Sequence, residues 1–275
     1  MSEKSSNFAA QNCGIMTIQE YIEAHRARFM EEWASLIRIP SVSCQAEHKA
    51  DMVRCAERWR ELLLEAGCQK AEVIDPLGPP KGGREGNPFV YGEYQCTMNN
   101  SQFLSPKGND YYTIHNAQGT IPTVLVYAHY DVMPVEPLEL WKSDPWEPSI
   151  RDGRLYARGA DDDKGQAMIQ AKAFEYMIKT GQMGCNVKFI FEGEEEIGSP
   201  SLEAFLEEHK ELLKADIILV SDTSMIGKGT PSITTGLRGL AYWQIEVDGP
   251  NRDLHSGHFG GAVKNPVNAL CEMLA

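Results

Sequence analysis

The stretch TVLVYAHYD, residues 123–131, joins an apolar run of strand length to a histidine and an aspartate. It opens a regular alternation of strand and helix patterns along the chain. Such an alternation is typical of a layered, mixed α/β sheet with helices on both faces. The predicted elements, in chain order, are strand 123–128, helix 164–179, strand 186–191, helix 200–213 and strand 216–220.

Histidine and acidic residues stand at the point where each of these predicted strands ends. His129 and Asp131 follow the first strand, the run 194–196 (EEE) follows the second, and Asp222 follows the third. Ligands of open α/β sheets collect at the carboxyl ends of the strands, so these side chains are expected at one edge. A fourth group, the DDDK run at 161–164, precedes a helix, whose dipole favours negative charge near its N-terminus.

Imidazole and carboxylate groups together are the ligand types of zinc, manganese or cobalt sites. Residues two apart share a face of a strand, so Asp131 is placed to accept the second imidazole N–H of His129. Taken alone, the DDDK run is ordinarily a solvated surface, and the run 194–196 a loop before a capped helix. Four such groups at one edge would repel one another, so their conjunction favours a divalent metal site.

The composition excludes several classes of function. The net charge is −13, and no cluster of Lys and Arg suits a phosphate backbone, so nucleic acid is not expected as a partner. The longest apolar runs have strand length, so no membrane span is predicted. The polar segment 1–16 is expected to be a disordered leader and not a signal peptide. The seven cysteines are scattered without CxxC spacing, which indicates a reducing, cytoplasmic setting.

Helical patterns flank the central region on both sides. Thr17 and Glu20 have capping-box spacing at the start of a helix that stops at Pro40, and a second helix ends at Gly67. From residue 232 the pattern changes, and the chain stops inside a helical pattern, as expected for a second domain cut short. The remaining predicted elements are loops at 76–88 and 95–120, a strand at 241–247 and a helix from Pro266.

Six motifs carry a resemblance to a known enzyme family: YAHYDVMPV, WKSDPWEPSIRDGRLYARGADDDKG, EGEEEIGS, LVSDT, GLRG and DLHSGHFGG. The chain resembles the cocatalytic dizinc metallopeptidases, which include carnosinase-type dipeptidases, carboxypeptidase G, aminoacylases and succinyl-diaminopimelate desuccinylase. The last two motifs are most similar to the dipeptidase branch. The resemblance implies a zinc-exopeptidase-like catalytic domain at 17–231 and the incomplete beginning of an α+β dimerisation or lid domain at 232–275.

At the matching positions, the resemblance implies two divalent metal ions, zinc first and manganese or cobalt as alternatives. His129 and Asp222 would hold one ion, Glu196 the other, and Asp162 would bridge them, with Asp131 clamping the imidazole. The family's remaining metal-ligand histidine would lie beyond residue 275. Three acids are left without a role, namely Asp161, Asp163 and Glu194. The two aspartates among them are expected to be solvated.

The resemblance also implies catalytic roles. Glu195 matches the family's general base, His255 a histidine that stabilises the oxyanion in the partner subunit of a homodimer, and Arg238 a residue near the substrate. The implied function is metal-dependent hydrolysis of the peptide bond in dipeptides or short peptides. Two alternatives stay open: a deacylase or desuccinylase of N-acyl amino acids with the same machinery, and a catalytically incomplete metal-binding fragment. Neither a Gly-x-Ser-x-Gly elbow nor a phosphate-binding P-loop is present in the sequence.

Overall fold

A computed structural model describes the chain over residues 16–76, 86–97, 102–104, 111–113, 120–227 and 229–275. The chain divides into two compact units, with the boundary between Ser224 and Met225. The sequence predicts a boundary slightly later, at 231. Residues 1–15 of the predicted leader lie outside the described residues, as do parts of the two predicted loops at 76–88 and 95–120.

Two long helices open the first unit, where the apolar spacing predicts them. Helix α1 (Ile18–Ile37) begins at a capping box: the Glu20 N–H donates to Thr17 Oγ1, and the Thr17 N–H donates to the Glu20 carboxylate at 2.8 Å. Helix α2 (Lys49–Ala66) ends at Gly67, whose φ of +123° is accessible to glycine but strained for other residues. Neither these nor any other described helix is apolar enough over a sufficient length to cross a membrane.

The strands form one central sheet and two short two-stranded sheets. In chain order they are β1 (Lys70–Ile74), β2 (Phe89–Tyr94), β3 (Gln102–Leu104), β4 (Tyr111–Thr113), β5 (Thr123–His129), β6 (Ser149–Arg151), β7 (Arg154–Tyr156), β8 (Asn186–Glu192) and β9 (Ile217–Val220). The central sheet has the order β1-β2-β8-β5-β9. β1 and β8 pair antiparallel with β2, whereas β8 and β9 pair parallel with β5. The sheet is therefore mixed, as predicted, and its register sets His129 opposite Glu192.

Helices cover both faces of this sheet. Helix α3 (Lys164–Lys179) packs with α2 on one face, and α4 (Leu202–Glu208) packs on the other. Alternate side chains of β8 enter the two cores, because successive residues of a strand point to opposite faces. Phe189 and Phe191 join the core around Trp59, whereas Ile190 joins the core around Phe205. Helix α4 is shorter than the predicted 200–213, since turns replace its last part.

The second unit contains the helices α5 (Ser256–Phe259) and α6 (Pro266–Leu274). Helix α6 begins at Pro266 as predicted, and Asn265 caps it by accepting the Val267 N–H. The strand predicted at 241–247 is wrong: this segment forms no strand, and Trp243 is exposed. An extended segment becomes a strand only when a neighbour pairs with its backbone, and within the described part of the chain none does.

Candidate metal centre

His129 is the last residue of β5, and its side chain is fully buried. Nδ1 of the imidazole lies 3.2 Å from the Asp131 carboxylate and 3.1 Å from the Asp131 backbone carbonyl. The other ring nitrogen, Nε2, lies 3.1 Å from Asp162 Oδ1 and 3.6 Å from Asp222 Oδ2. Because Asp131 engages Nδ1, Nε2 is the nitrogen that is available to a metal ion.

Asp162 and Asp222 form with His129 a three-residue cluster at the carboxyl edge of the sheet. One ligand atom of each residue lies within 4.8 Å of the ligand atoms of the other two. The three residues come from the end of β5, the loop before α3 and the segment after β9. His129 is buried, Asp222 is half-buried and Asp162 is exposed, so the cluster is open to solvent on one side. A catalytic metal site needs such an open position.

The turn after β8 carries the two glutamates of the predicted site. Glu195 and Glu196 lie in a single 3-10 turn, and Glu195 Oε2 is 4.0 Å from His129 Nε2. The backbone N–H groups of Glu195 and Glu196 donate to the two carboxylate oxygens of Asp131, at 3.2 Å and 3.1 Å. The buried Asp131 carboxylate therefore joins this turn to the imidazole and fixes their relative position.

The acidic groups of this cluster are crowded, and this crowding raises the pKa values of several of them. Burial and neighbouring acids raise the pKa of Glu196 to about 7, and they also raise the pKa values of Glu195 and Asp222. Burial by itself lowers the pKa of His129, but Asp131 and other nearby acids outweigh it and raise that pKa to about 10. Surroundings that hold a proton on an imidazole also favour a metal cation there, so the donor set fits a divalent metal by charge and by type.

The three aspartates of the acidic run have different environments. Asp161 is exposed, as expected, but Asp163 is fully buried. The prediction that Asp163 is solvated is therefore wrong. Its Oδ2 accepts the backbone N–H of His129 at 3.0 Å, and burial raises its pKa to about 7. The sequence cannot distinguish the roles of three adjacent aspartates. The path of the backbone before α3 decides which of them faces β5.

Glu194, which the motifs leave without a role, is buried beneath the turn. Its two carboxylate oxygens accept the backbone N–H groups of Asn87 at 2.8 Å and Ser201 at 3.0 Å. The side chain therefore joins the segment before β2 to the loop before α4. The sequence does not reveal this function, because the three consecutive glutamates are identical. Only the conformation of the turn decides the direction in which each side chain points.

Comparison with known proteins places this geometry in a family. The chain matches the model of peptidase family M20/M25/M40 over residues 125–263, a span that contains the whole cluster. The chain belongs to this peptidase family. The family resemblance read from the motifs is thereby confirmed.

The relatives of this M20/M25/M40 family member include named dipeptidases. The chain is 33% identical to the Cys-Gly metallodipeptidase of Schizosaccharomyces pombe over 94% of its length, and 37% identical to the Beta-Ala-His dipeptidase of Mus musculus over 97%. The crystal structure of human carnosine dipeptidase 1 matches with a TM-score of 0.71 and 30% identity over 93% of the chain. These matches confirm the predicted α/β fold and the similarity to the dipeptidase branch. The chain spans about half the length of these relatives, namely 51%, 52% and 50%.

The two remaining predicted site residues of this family member, Arg238 and His255, lie in the second unit. Arg238 is exposed. His255 precedes α5 and caps it, because its Nδ1 accepts the Gly257 N–H at 3.0 Å. This local geometry is that of a turn-capping histidine, and the catalytic role of His255 stays a prediction.

Proposed function

We propose that this chain carries the catalytic unit of a metal-dependent dipeptidase, which hydrolyses the peptide bond of dipeptides or short peptides. The observation that carries the proposal is the convergence of His129, Asp162 and Asp222 within 4.8 Å beside the turn that bears Glu195. The relatives named as dipeptidases support the same class of reaction.

The donor set suits two divalent ions. His129 and Asp222 would hold one ion, Glu196 would hold the other, and Asp162 would bridge them. Zinc fits these ligand types best, and manganese or cobalt would also be accepted. Metal ions bound in this way polarise a substrate carbonyl and lower the pKa of a coordinated water.

Glu195 is the residue placed to exchange a proton at the open side of the cluster. Its carboxylate takes the proton of the attacking water and returns it to the departing nitrogen, so the amide becomes a carboxylate and an amine. Burial raises the pKa of Glu195, which suits a group that gains and loses a proton near neutral pH. Asp131 meanwhile holds the imidazole of His129 with Nε2 presented to the cluster.

The remaining assignments of the proposal come from the family resemblance and the composition. His255 would stabilise the oxyanion in the partner subunit of a homodimer, and Arg238 would lie near the substrate. A reducing, cytoplasmic setting is supported by the cysteines of the described part of the chain, all of which are free thiols: Cys44, Cys55, Cys68, Cys96, Cys185 and Cys271.

The test of this proposal separates metal binding from turnover. Glu195→Gln keeps the shape of the side chain but removes the base, so it is expected to retain bound zinc and lose about 100-fold to 10,000-fold in kcat. Asp162→Ala is expected to lose zinc. Zinc content after dialysis and hydrolysis of a panel of dipeptides and N-acyl amino acids would be measured for both variants. The exposed Glu208→Gln at the end of α4 is the matched control.

Three results would contradict the proposal. Full turnover by Glu195→Gln would remove Glu195 from the mechanism. Hydrolysis of N-acyl amino acids with no hydrolysis of free-amine dipeptides would make the chain a deacylase with the same site. Zinc binding without turnover of any substrate in the panel would favour the metal-binding fragment.

A further inference from the structure

Another buried carboxylate, Glu192, lies beside the candidate metal centre. It is the last residue of β8 and stands opposite His129 in the parallel register of β5 and β8. Its side chain is completely buried. Glu192 Oε1 accepts two hydrogen bonds, one from the Ser199 hydroxyl group at 2.9 Å and one from the phenol of Tyr127. Hydrogen bonds in a buried, low-dielectric environment are stronger than in water, so these two contacts hold the hydroxyl groups in place.

The Ser199 hydroxyl group belongs to the far end of the turn that carries Glu195 and Glu196. Ser199 has a φ of +49°, a left-handed conformation that is uncommon for a residue with a side chain. Its N–H donates to the Glu194 carbonyl at 2.8 Å, which closes the turn, and its hydroxyl donates to Glu192. Strained backbone of this kind persists only where the surrounding contacts determine it, and Glu192 provides one of those contacts.

The Tyr127 hydroxyl group connects the same carboxylate to the strand of His129. Tyr127 lies two residues before His129 on β5, so both side chains stand on the same face of the strand. Glu192 therefore bridges the strand that ends in His129 and the turn that bears Glu195. Asp131 makes the complementary contact at the beginning of the turn, through the N–H groups of Glu195 and Glu196.

We infer that Tyr127, Glu192 and Ser199 act as positioning residues, which together hold Glu195 and Glu196 at a set place relative to His129. Asp131 holds the first half of the turn and Glu192 holds the second half. Neither Tyr127 nor Ser199 is a metal ligand, and their effect on the reaction passes through the position of the turn. This inference rests on the proposed function, because Glu195 and Glu196 have their roles only there.

The test compares two substitutions of Ser199 that differ in backbone freedom. Ser199→Ala and Ser199→Gly both remove the hydroxyl group, but glycine adopts a positive φ without strain. If the hydroxyl contact to Glu192 positions the turn, both variants are expected to lose about 10-fold to 100-fold in zinc affinity or kcat, with KM little changed. Tyr127→Phe is expected to have a smaller effect in the same direction.

The matched control is Tyr21→Phe. The Tyr21 phenol also donates to a buried carboxylate, that of Glu175 at 2.9 Å, but this contact joins α1 to α3 away from the turn. Zinc affinity would be measured by competition with a chromophoric chelator. The kcat and KM would be measured with a dipeptide that the wild-type chain hydrolyses, and stability by thermal unfolding. Tyr21→Phe is expected to change stability alone, with zinc affinity and kcat as in the wild-type chain.

The outcomes distinguish this inference from the proposed function. Wild-type zinc affinity and kcat in Ser199→Gly would overturn the positioning role, because only the backbone conformation would then matter. Loss of zinc affinity or kcat in both Ser199 variants, with wild-type zinc affinity and kcat in Tyr21→Phe, supports it. If the wild-type chain binds zinc but hydrolyses nothing, the proposed function fails, and zinc affinity still decides whether the turn is positioned by Ser199.

Discussion

Gly165 packs against the backbone of the loop that carries the acidic run. A Cβ atom at this position would lie 2.1 Å from the carbonyl oxygen of Ala160, which is a severe steric clash. The glycine is therefore needed for close approach and not for an unusual φ. The loop from Ala160 to Asp163 contains Asp162, so a shift there moves a residue of the metal cluster.

Gly165→Ala is expected to destabilise the chain by about 1–3 kcal/mol, because overpacking forces the loop or α3 to move. It is also expected to weaken zinc binding, since Asp162 moves with the loop. Urea unfolding and a zinc titration would measure the two effects. Gly236→Ala is the control, because a Cβ at Gly236 would have no atom of the described residues within 4 Å. Equal stability and zinc affinity in the two variants would contradict the close-packing argument.

At the scale of elements, Lys164 joins the start of α3 to the end of α1. Its side chain is fully buried, and Nζ donates to the backbone carbonyl oxygens of Leu36 at 3.0 Å and Ile39 at 2.8 Å. Each of these oxygens also accepts a backbone N–H, from Ile39 at 3.1 Å and from Ser41 at 2.8 Å, so Lys164 gives each carbonyl group a second hydrogen bond. Burial lowers the pKa of Lys164.

Lys164→Met is expected to lower the free energy of unfolding by about 1–3 kcal/mol, because it removes two buried hydrogen bonds between the end of α1 and the start of α3. Methionine preserves most of the apolar contact of the lysine chain, so the effect reports the hydrogen bonds. The measurement is urea unfolding at pH 7. Lys179→Met, at the exposed end of the same helix, is the control and should change stability little. A Lys164→Met variant as stable as the Lys179→Met control would contradict a stabilising role for these two hydrogen bonds.

At the scale of the whole first unit, a buried ionic network holds α1 against α3. Glu175 of α3 accepts hydrogen bonds from Tyr21 and Arg28 of α1, and from Lys172 at 2.8 Å. Lys172 also pairs with Glu32 of α1. Burial by itself raises the pKa of Glu175, but the contacts from Arg28 and Lys172 outweigh it and lower the pKa to about 2. The two helices thus depend on an ionised Glu175.

This network predicts a pH dependence of stability. A carboxyl group whose pKa falls on folding stabilises the folded state fully above its unfolded pKa, here about 4.5, and loses that contribution as pH falls toward 2. Glu175→Gln is therefore expected to cost about 3–5 kcal/mol at pH 7, since it leaves Arg28 and Lys172 to share the carboxylate of Glu32, with one positive charge uncompensated. The difference from the wild-type chain should shrink between pH 4.5 and pH 2.

Urea unfolding of both proteins across this pH range would measure the effect. The exposed Glu23→Gln, which loses only a surface pair with Arg26, is the control and should show little difference at any pH. A Glu175→Gln penalty that stays constant from pH 7 to pH 2 would contradict the ionised network.

The sequence by itself determined the elements with strong local signals. The Thr17–Glu20 capping box sets the start of α1, and the apolar runs predict β5 and β8 almost residue for residue. These signals are local, because capping needs residues within one turn and a buried strand needs only a short apolar run. The motifs around His129 likewise sufficed to predict the family, which the comparison confirmed.

Only the tertiary structure decided what each acidic residue does. Neighbours such as Asp162 and Asp163 are chemically identical, yet one faces Nε2 of His129 and the other binds its backbone N–H. The segment 241–247 has the composition of a strand but lacks a partner among the described residues. Both outcomes have the same physical reason: a carboxylate or an extended backbone takes its role from groups far away in the chain, and no local pattern records which groups those are.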